Sequence, residues 1–182
     1  MSKLIENLHE DHKNIARLLQ LLKDQLSHLQ AGEFTDFPLL ADIMHYFANY
    51  PDRHHHPCED IIFEVLSEKD ESAKYAIDRI LDEHKKMLNA SNRLYDEFNQ
   101  LQGNAIFSRE KLVNELGDYI EKYYQHMNKE ENELLPLAEK VLSENDWAAI
   151  SDKIGVQEDP LFGETLDKEY ESLYRSIMST AE

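Results

Sequence analysis

The chain is poor in the residues that mark disulfide-stabilised or loop-rich proteins. It has one cysteine, Cys58, and only five glycines and five prolines among 182 residues. A single cysteine excludes an internal disulfide framework and favours a reducing compartment, so we expect a cytoplasmic protein. The scarcity of glycine and proline, combined with 31% charged residues, is typical of an all-helical soluble chain.

Positive charge is scarce as well. Lys and Arg number 19 against 37 Asp and Glu, which gives a net charge of −18. Such a surface repels phosphate groups, so neither nucleic acid nor a membrane surface is expected as a partner. No apolar run approaches the roughly 18–20 residues of a membrane span. The segment 1–7 lacks the apolar stretch and cleavage site of a signal peptide.

Helical periodicity is what the sequence does contain. Apolar residues spaced three and four apart predict four long helices, at about 2–30, 37–67, 71–101 and 108–142. Pro51 and Pro57 should interrupt the second helix, and Pro136 should kink the fourth. These features predict an all-α fold, an antiparallel up-down-up-down four-helix bundle over residues 2–144. Additional C-terminal helices, the last at about 164–178, would extend the same single domain over residues 145–182.

The two halves of the chain repeat one pattern of histidines and acids. The spacing from His12 to His55 is 43 residues, and that from His84 to His126 is 42. A shift of 71 or 72 positions superimposes two sets of residues: Asp11-His12-Lys13 on Glu83-His84-Lys85, and His55-x-x-x-Glu59 on His126-x-x-x-Glu130. Such repetition rarely arises by chance. It indicates two similar helix pairs, each supplying one His, then a His and a Glu four residues apart.

That spacing predicts a metal site. Residues i and i+4 share one helix face, about 5–6 Å apart at Cβ. Six polar residues lie on the apolar stripes and should face the bundle axis: His12, His55, Glu59, His84, His126 and Glu130. Each would cost roughly 1–3 kcal/mol there if unsatisfied, so a buried cation explains their presence.

The number of donors favours two ions. Two carboxylates and four imidazoles exceed the needs of one tetrahedral zinc. They suit a dinuclear centre in which both glutamates bridge and each ion has two histidines. Mixed imidazole and carboxylate ligands suit iron or manganese, although zinc could occupy the same residues.

One choice within the motif has to be made. His56 also has an acid four residues later, Asp60. The internal repeat and the apolar stripe both favour His55 with Glu59 as the ligand pair. His56 is then an expected supporting group behind the ligands.

The order of these motifs resembles the hemerythrin-like, or HHE cation-binding, family. The matching segments span about residues 4–142 and are Leu8-His9-Glu10-Asp11-His12, residues 50–63, Leu81-Asp82-Glu83-His84 and residues 126–136. The resemblance implies a non-haem di-iron centre, with a bridging oxo, hydroxo or water, that binds or processes dioxygen, peroxide or nitric oxide. It leaves open whether the protein is an enzyme or a sensor, and whether it is a monomer or a homodimer.

The sequence also departs from the oxygen-carrying members. Those members have a further His on the third helix and an Asp farther along the fourth. Here the residue four positions after His84 is Leu88, and the acidic ligand expected on the fourth helix is Glu130. A pure oxygen carrier is therefore disfavoured. The resemblance is nearer to peroxide-handling members and to those that store or donate iron for iron–sulfur repair under nitrosative or oxidative stress, which is the alternative function.

Several neighbouring residues have two interpretations. Tyr119 and Tyr123 are expected in the core, but either could donate a hydrogen bond near the metals. Cys58 could be incidental or redox-active, and His9 could face the site or water. The apolar face of the C-terminal tail is expected to cap the bundle, with a dimer contact as the second interpretation.

Overall fold

The chain folds as a set of long helices with short additions. The computed structural model describes residues 2–103, 106–155 and 158–180, and all regular structure in these ranges is helical. Eight α-helices occur there: α1 Lys3–Ala31, α2 Phe37–Asn49, α3 His56–Lys69, α4 Lys74–Gln102, α5 Arg109–Lys129, α6 Leu135–Val141, α7 Glu144–Lys153 and α8 Glu171–Thr180. Two π-helical segments, Pro51–His55 and Glu130–Leu134, join α2 to α3 and α5 to α6. Within the described part of the chain, no helix combines the length and apolarity required to cross a bilayer.

The helix ends follow the local sequence. Gly32 ends α1 with φ 73°, a left-handed conformation that favours glycine, and its N–H donates to the carbonyl of Leu29. Ser108 caps α5 by accepting from the N–H of Lys111 at 3.3 Å. Gly103 ends α4, and the residue that follows it, Asn104, lies outside the described residues.

The interruption predicted at Pro51 is confirmed, and a second interruption precedes Pro136; both take the form of π-helix, whereas Pro57 lies within the first turn of α3 and adds no further break. Pro51 begins the first π-helical segment, Pro57 follows it, and Pro136 follows the second. Proline has no N–H to donate and crowds the preceding turn, so a regular α-helical ladder cannot continue through it. The wider turns lie beside the predicted ligands, since the first segment ends at His55 and the second begins at Glu130.

Two apolar cores fill the bundle, with a polar layer between them. Leu8, near the start of α1, belongs to one core, whereas Ile15 belongs to the other. His12 lies between these two residues in sequence and is itself buried. The core that contains Leu8 also includes residues from the last part of α3, the first part of α4 and α6. The meeting of the start of α1 and α4 with the end of α3 and α6 in one core supports an antiparallel order of the helices. The up-down-up-down order itself stays a prediction.

The C-terminal residues pack onto both cores. Ile150 of α7 joins the core that contains Leu8, while Leu161, Tyr170 and Leu173 join the other core. The Tyr46 hydroxyl on α2 donates to Asp159 Oδ2 at 2.8 Å and is buried. The tail is thereby attached to the bundle by a buried hydrogen bond as well as by apolar packing.

The prediction of a helix beginning at 164 is wrong. The chain instead turns after Pro160, and helix begins with a 3-10 turn at Lys168–Tyr170 before α8. Asp159 Oδ1 accepts from the N–H groups of Leu161 and Phe162, and the N–H of Asp167 donates to the Pro160 carbonyl. These bonds satisfy the backbone in a turn, so the helix starts later. Residues 156–157 and 181–182 of the predicted extension lie outside the described residues.

Tyr46→Phe tests how the tail is attached. The substitution removes one hydrogen bond to a buried carboxylate and should lower the free energy of unfolding by about 1.5–3 kcal/mol. Urea denaturation of the metal-free protein would measure the loss. Tyr75→Phe is the matched control, because Tyr75 is 75% exposed and should change stability little. Equal stability of the two variants would contradict the assigned role of Tyr46.

Candidate metal centre

All four long helical segments of the bundle, namely α1, α2 with α3, α4, and α5 with α6, contribute to one polar cluster in the interior. The structure brings together the six predicted ligands: His12 from α1, His55 and Glu59 around the start of α3, His84 from α4, His126 from α5 and Glu130 at the next π-helical segment. Glu59 and Glu130 are 0% exposed, and the four histidines are between 2% and 5% exposed. The expected convergence of these side chains is therefore present in the structure.

The four imidazoles turn their Nε2 atoms toward each other. The Nε2 atoms of His12 and His55 are 3.0 Å apart, and those of His84 and His126 are 3.1 Å apart. The four histidines thus form two pairs. The two members of each pair come from the same half of the sequence repeat. Two nitrogens this close on each side provide a donor pair for one cation.

Each glutamate lies between the two histidine pairs. Glu59 is 3.4 Å from the Nε2 atoms of both His12 and His55, and 3.7 Å from Nε2 of His84. Glu130 is 3.0 Å from Nε2 of His126, 3.1 Å from His84 and 3.5 Å from His12. A carboxylate with an oxygen near each histidine pair is suited to bridge two ions.

The carboxylates have too few hydrogen-bond partners for their burial. Both oxygens of Glu59, and Oε2 of Glu130, are buried without a hydrogen bond. A buried ionised carboxylate without partners is strongly unfavourable, and coordination of a cation removes that cost. Four imidazoles with two such carboxylates match the donor set of a dinuclear carboxylate centre, so the residues present fit the group that the fold implies. Among the described residues, two groups have ligand atoms close enough together to hold an ion: His12, His55, Glu59; and His56, Glu59, His84, His126.

A ring of outer carboxylates holds the imidazoles in place. The Nδ1 atom of every predicted histidine ligand lies beside an acid from another element: His12 beside Glu131 at 2.6 Å, His55 beside Asp11 at 3.0 Å, His84 beside Asp60 at 2.5 Å and His126 beside Glu83 at 3.2 Å. A carboxylate on Nδ1 keeps that nitrogen protonated and directs the Nε2 lone pair inward. This is the usual support of a metal-bound histidine.

Sequence reasoning missed these four acids, although the repeat contains a signal for them. Asp11 and Glu83 each precede a predicted ligand, and Asp60 and Glu131 each follow one. The same shift that relates the ligands therefore relates the acids. What sequence alone does not indicate is the partner of each acid, which lies 24 to 119 residues away.

Burial and charge act on the imidazoles in opposite directions. Burial lowers the pKa of His12, but its hydrogen bonds to Glu131 and Glu59, with the charge of Glu130, outweigh that effect and raise the pKa to about 10. His84 behaves in the same way, with its pKa also raised to about 10. The field of the cluster therefore favours positive charge at these nitrogens. Protons and metal ions would compete for them, so metal uptake should release protons.

Other candidate residues lie around this cluster. The Tyr123 hydroxyl is 3.4 Å from Nε2 of His56, and the Tyr119 hydroxyl is 2.9 Å from Oγ of Ser91. His9 contacts the Glu131 carboxylate at 2.8 Å, outside the inner cluster. Burial, with the charges of neighbouring acids, raises the pKa of the Cys58 thiol to about 11. A thiol that stays protonated at neutral pH is a poor nucleophile, which disfavours the redox interpretation of Cys58.

Two grooves lead to the cluster from the surface. One, of about 810 Å³ between α4 and α5, is lined by Met87, Tyr119 and His126. The other, of about 820 Å³, lies between α1, the start of α3 and the C-terminal segment, and reaches His55. Small molecules could therefore approach either histidine pair.

Glu131→Ala tests the outer carboxylates. It leaves Nδ1 of His12 without its acid and should weaken the binding of one metal ion by roughly 10–100-fold. Glu133→Ala makes the same charge change two residues away at an exposed position, and should leave affinity unchanged. Competition with a chelator of known affinity measures both. Equal affinities in the two variants would show that Glu131 does not support the centre.

Comparison with known proteins agrees with the geometry. The family described as Hemerythrin HHE cation binding domain matches residues 3–138, which contain all six predicted ligands. No match was found among curated proteins or among solved structures. Because the match covers most of the chain, the protein belongs to the hemerythrin HHE cation-binding domain family.

Proposed function

We propose that this protein is a non-haem di-iron protein that binds or processes small oxidants. The observation that carries the proposal is a pair of fully buried carboxylates, Glu59 and Glu130, in the midst of four inward-facing Nε2 atoms. Both oxygens of Glu59 and Oε2 of Glu130 have no hydrogen-bond partner. An apolar interior tolerates this arrangement only with added positive charge. Two cations supply that charge at the positions that the donors define.

The ligands divide between two ions. His12 and His55 would bind one, His84 and His126 the other, and Glu59 and Glu130 would bridge them. Iron suits mixed nitrogen and oxygen donors, and manganese or zinc would be alternatives. When bound, an iron pair supplies a Lewis acid and an electron reservoir for dioxygen, peroxide or nitric oxide.

The chain's own residues control access to this centre. Leu8, Ile15, Ile62, Met87 and Tyr123 are buried and would limit the entry of water to the ligand layer. Exclusion of water strengthens every electrostatic interaction within the layer. The two grooves bring small molecules to the edge of the layer, where Tyr119 and His126 line one approach and His55 lines the other.

Iron storage or donation is the second candidate, and burial argues against it. Every predicted ligand is at most 5% exposed, and each histidine is held on its outer side by an acid. A site made for ready release would expose its ligands. We therefore favour ions that remain in the protein, within one domain formed by the bundle and its C-terminal extension, in a cytoplasmic monomer or homodimer.

Metal analysis tests the centre itself. Protein purified without added metal should contain about two ions per chain, and its oxidised form should absorb in the near ultraviolet if those ions are iron. His12→Ala should lose part of the metal, whereas His28→Ala, which changes an exposed histidine on the same helix, should not. A colourless zinc protein would overturn the redox proposal but retain the metal site. A chain without bound metal would overturn both.

Reaction with oxidants separates the candidate functions. Addition of peroxide to the iron-loaded protein should change its optical spectrum, and oxygen evolution over many cycles would identify an enzyme. A spectral change without turnover would indicate a binding or sensing protein. Incubation with an iron–sulfur protein that has lost its cluster should leave the iron in place; transfer of iron would instead establish the donor function.

A further inference from the structure

We propose that the groove between α4 and α5 is a docking site for a partner protein, which inserts an acidic amphipathic helix into it. Such a site lies on the surface, outside the metal ligands, and would serve the protein whichever metal it holds. Its basis is the relation between the two surface grooves, which occupy equivalent places in the two halves of the sequence repeat.

The two grooves are formed by equivalent faces of the two helix pairs. One groove is lined by residues of α1, the start of α3 and the C-terminal segment, and the other by residues of α4 and α5. The shift of 71 or 72 positions that relates the ligands also relates six lining residues of the two grooves: Asn7 to Arg79, Asp11 to Glu83, Asn14 to Lys86, His54 to Gln125, His55 to His126 and Cys58 to Lys129.

The chain itself covers the first of these grooves. The C-terminal segment contributes Ile154, Glu158, Asp159 and Phe162 to the lining. Ile154 and Phe162 pack against the two apolar cores, and Asp159 is fixed by the hydroxyl of Tyr46. The segment that closes this groove thus combines apolar side chains with acids.

The second groove is long and, in the described part of the chain, is lined by α4 and α5 alone. Its lining residues extend from Arg79 to Arg93 on α4 and from Glu115 to Lys129 on α5. Each stretch corresponds to about 21 Å of α-helix, or roughly four turns. The groove has a volume of about 810 Å³. A helical segment of a partner matches this length, whereas a small anion would occupy only a fraction of it.

The charge of the second groove is opposite to that of the whole protein. Three of the six related positions change from an uncharged residue to a cation, namely Arg79, Lys86 and Lys129. With Arg93 and Lys122, five Lys or Arg side chains line the groove against three acids, in a chain of net charge −18. A local excess of positive charge attracts acidic groups and directs an acidic partner to this place.

The floor of the groove is apolar. Met87, Ala90 and the ring of Tyr119 line it, and Met87 and Tyr119 belong to one of the apolar cores. An apolar floor between cationic rims complements a helix with an apolar face flanked by acids. A helix bound there would lie beside Glu83 and His126, so the partner would be held next to the proposed metal centre.

Selection from a displayed library of random peptides of about 16 residues tests the site, since such peptides are long enough to span the groove as helices. Purified full-length protein is the target. We expect enriched peptides that are acidic and have apolar residues at helical spacing. Non-specific attraction to a chain of net charge −18 would instead enrich basic peptides. Enrichment of basic peptides alone, or of none, would overturn the proposal.

Charge reversal on both rims tests the attraction. Arg93→Glu combined with Lys122→Glu should weaken binding of the enriched peptide by at least about ten-fold, measured by fluorescence anisotropy. Lys23→Glu combined with Lys74→Glu makes the same change in net charge at exposed positions outside both grooves, and should leave affinity within about two-fold of the wild type. Equal affinity in the two double variants would contradict docking in this groove.

A change in the floor separates docking from simple charge attraction. Ala90→Arg adds positive charge but fills the half-buried centre of the floor, so it should weaken peptide binding despite the added charge. Stronger binding would show that shape plays no part. In the wild type, a photo-crosslinker on the apolar face of the peptide should attach within residues 79–93 or 115–129. Attachment elsewhere would overturn the site even if the Ala90 variant folds poorly.

Two further outcomes would assign the groove to another occupant. Self-association of the wild type that is abolished by Arg93→Glu with Lys122→Glu, measured by sedimentation velocity, would indicate a second copy of this chain. Displacement of the peptide by millimolar citrate at constant ionic strength would indicate a small anion. Either result would overturn docking of a partner helix, and neither bears on the metal centre, which is judged separately by its metal content.

Discussion

The structure depends on one electrostatic constraint, the burial of two carboxylates in an apolar interior. Glu59 and Glu130 are fully buried, and the imidazoles around them turn Nε2 inward. Negative charge at this depth is tolerable only beside positive charge. The raised pKa of His12 and of His84 has the same origin: burial lowers the pKa, but the neighbouring carboxylates stabilise the protonated imidazoles and outweigh that effect. Cations meet that demand more completely, since one ion contacts several donors at once.

The outer acids fix the orientation of the imidazoles around the buried carboxylates. Each predicted histidine ligand is held from behind by a carboxylate of another element, so these four contacts join the long helical segments in a closed ring around the ligand layer. Apolar cores above and below the layer fix the helices at the right separation. The π-helical segments beside His55 and Glu130 place the wide turns where ligands must be directed inward. Site and fold thereby constrain each other.

The internal repeat gives the ligand layer an approximate symmetry, from which a few parts of the chain depart. Ligands and outer acids obey the repeat. His56 with Asp52 does not. Neither does the C-terminal tail, which packs onto both apolar cores and is hydrogen-bonded to α2 through Asp159 and Tyr46.

The sequence by itself determined the features that depend on spacing along one helix. Apolar periodicity located the long helices, proline located their interruptions, and the i, i+4 repeat identified the six residues that converge. It also contained the adjacent acids, but not their partners, because pairing across the bundle depends on contacts between elements far apart in the chain. Only the tertiary structure decided that Glu131 supports His12, that His56 faces the cluster, and that Asp159 delays the start of the last helix. Local periods are set by the geometry of a single helix, whereas these contacts arise from how several helices pack together.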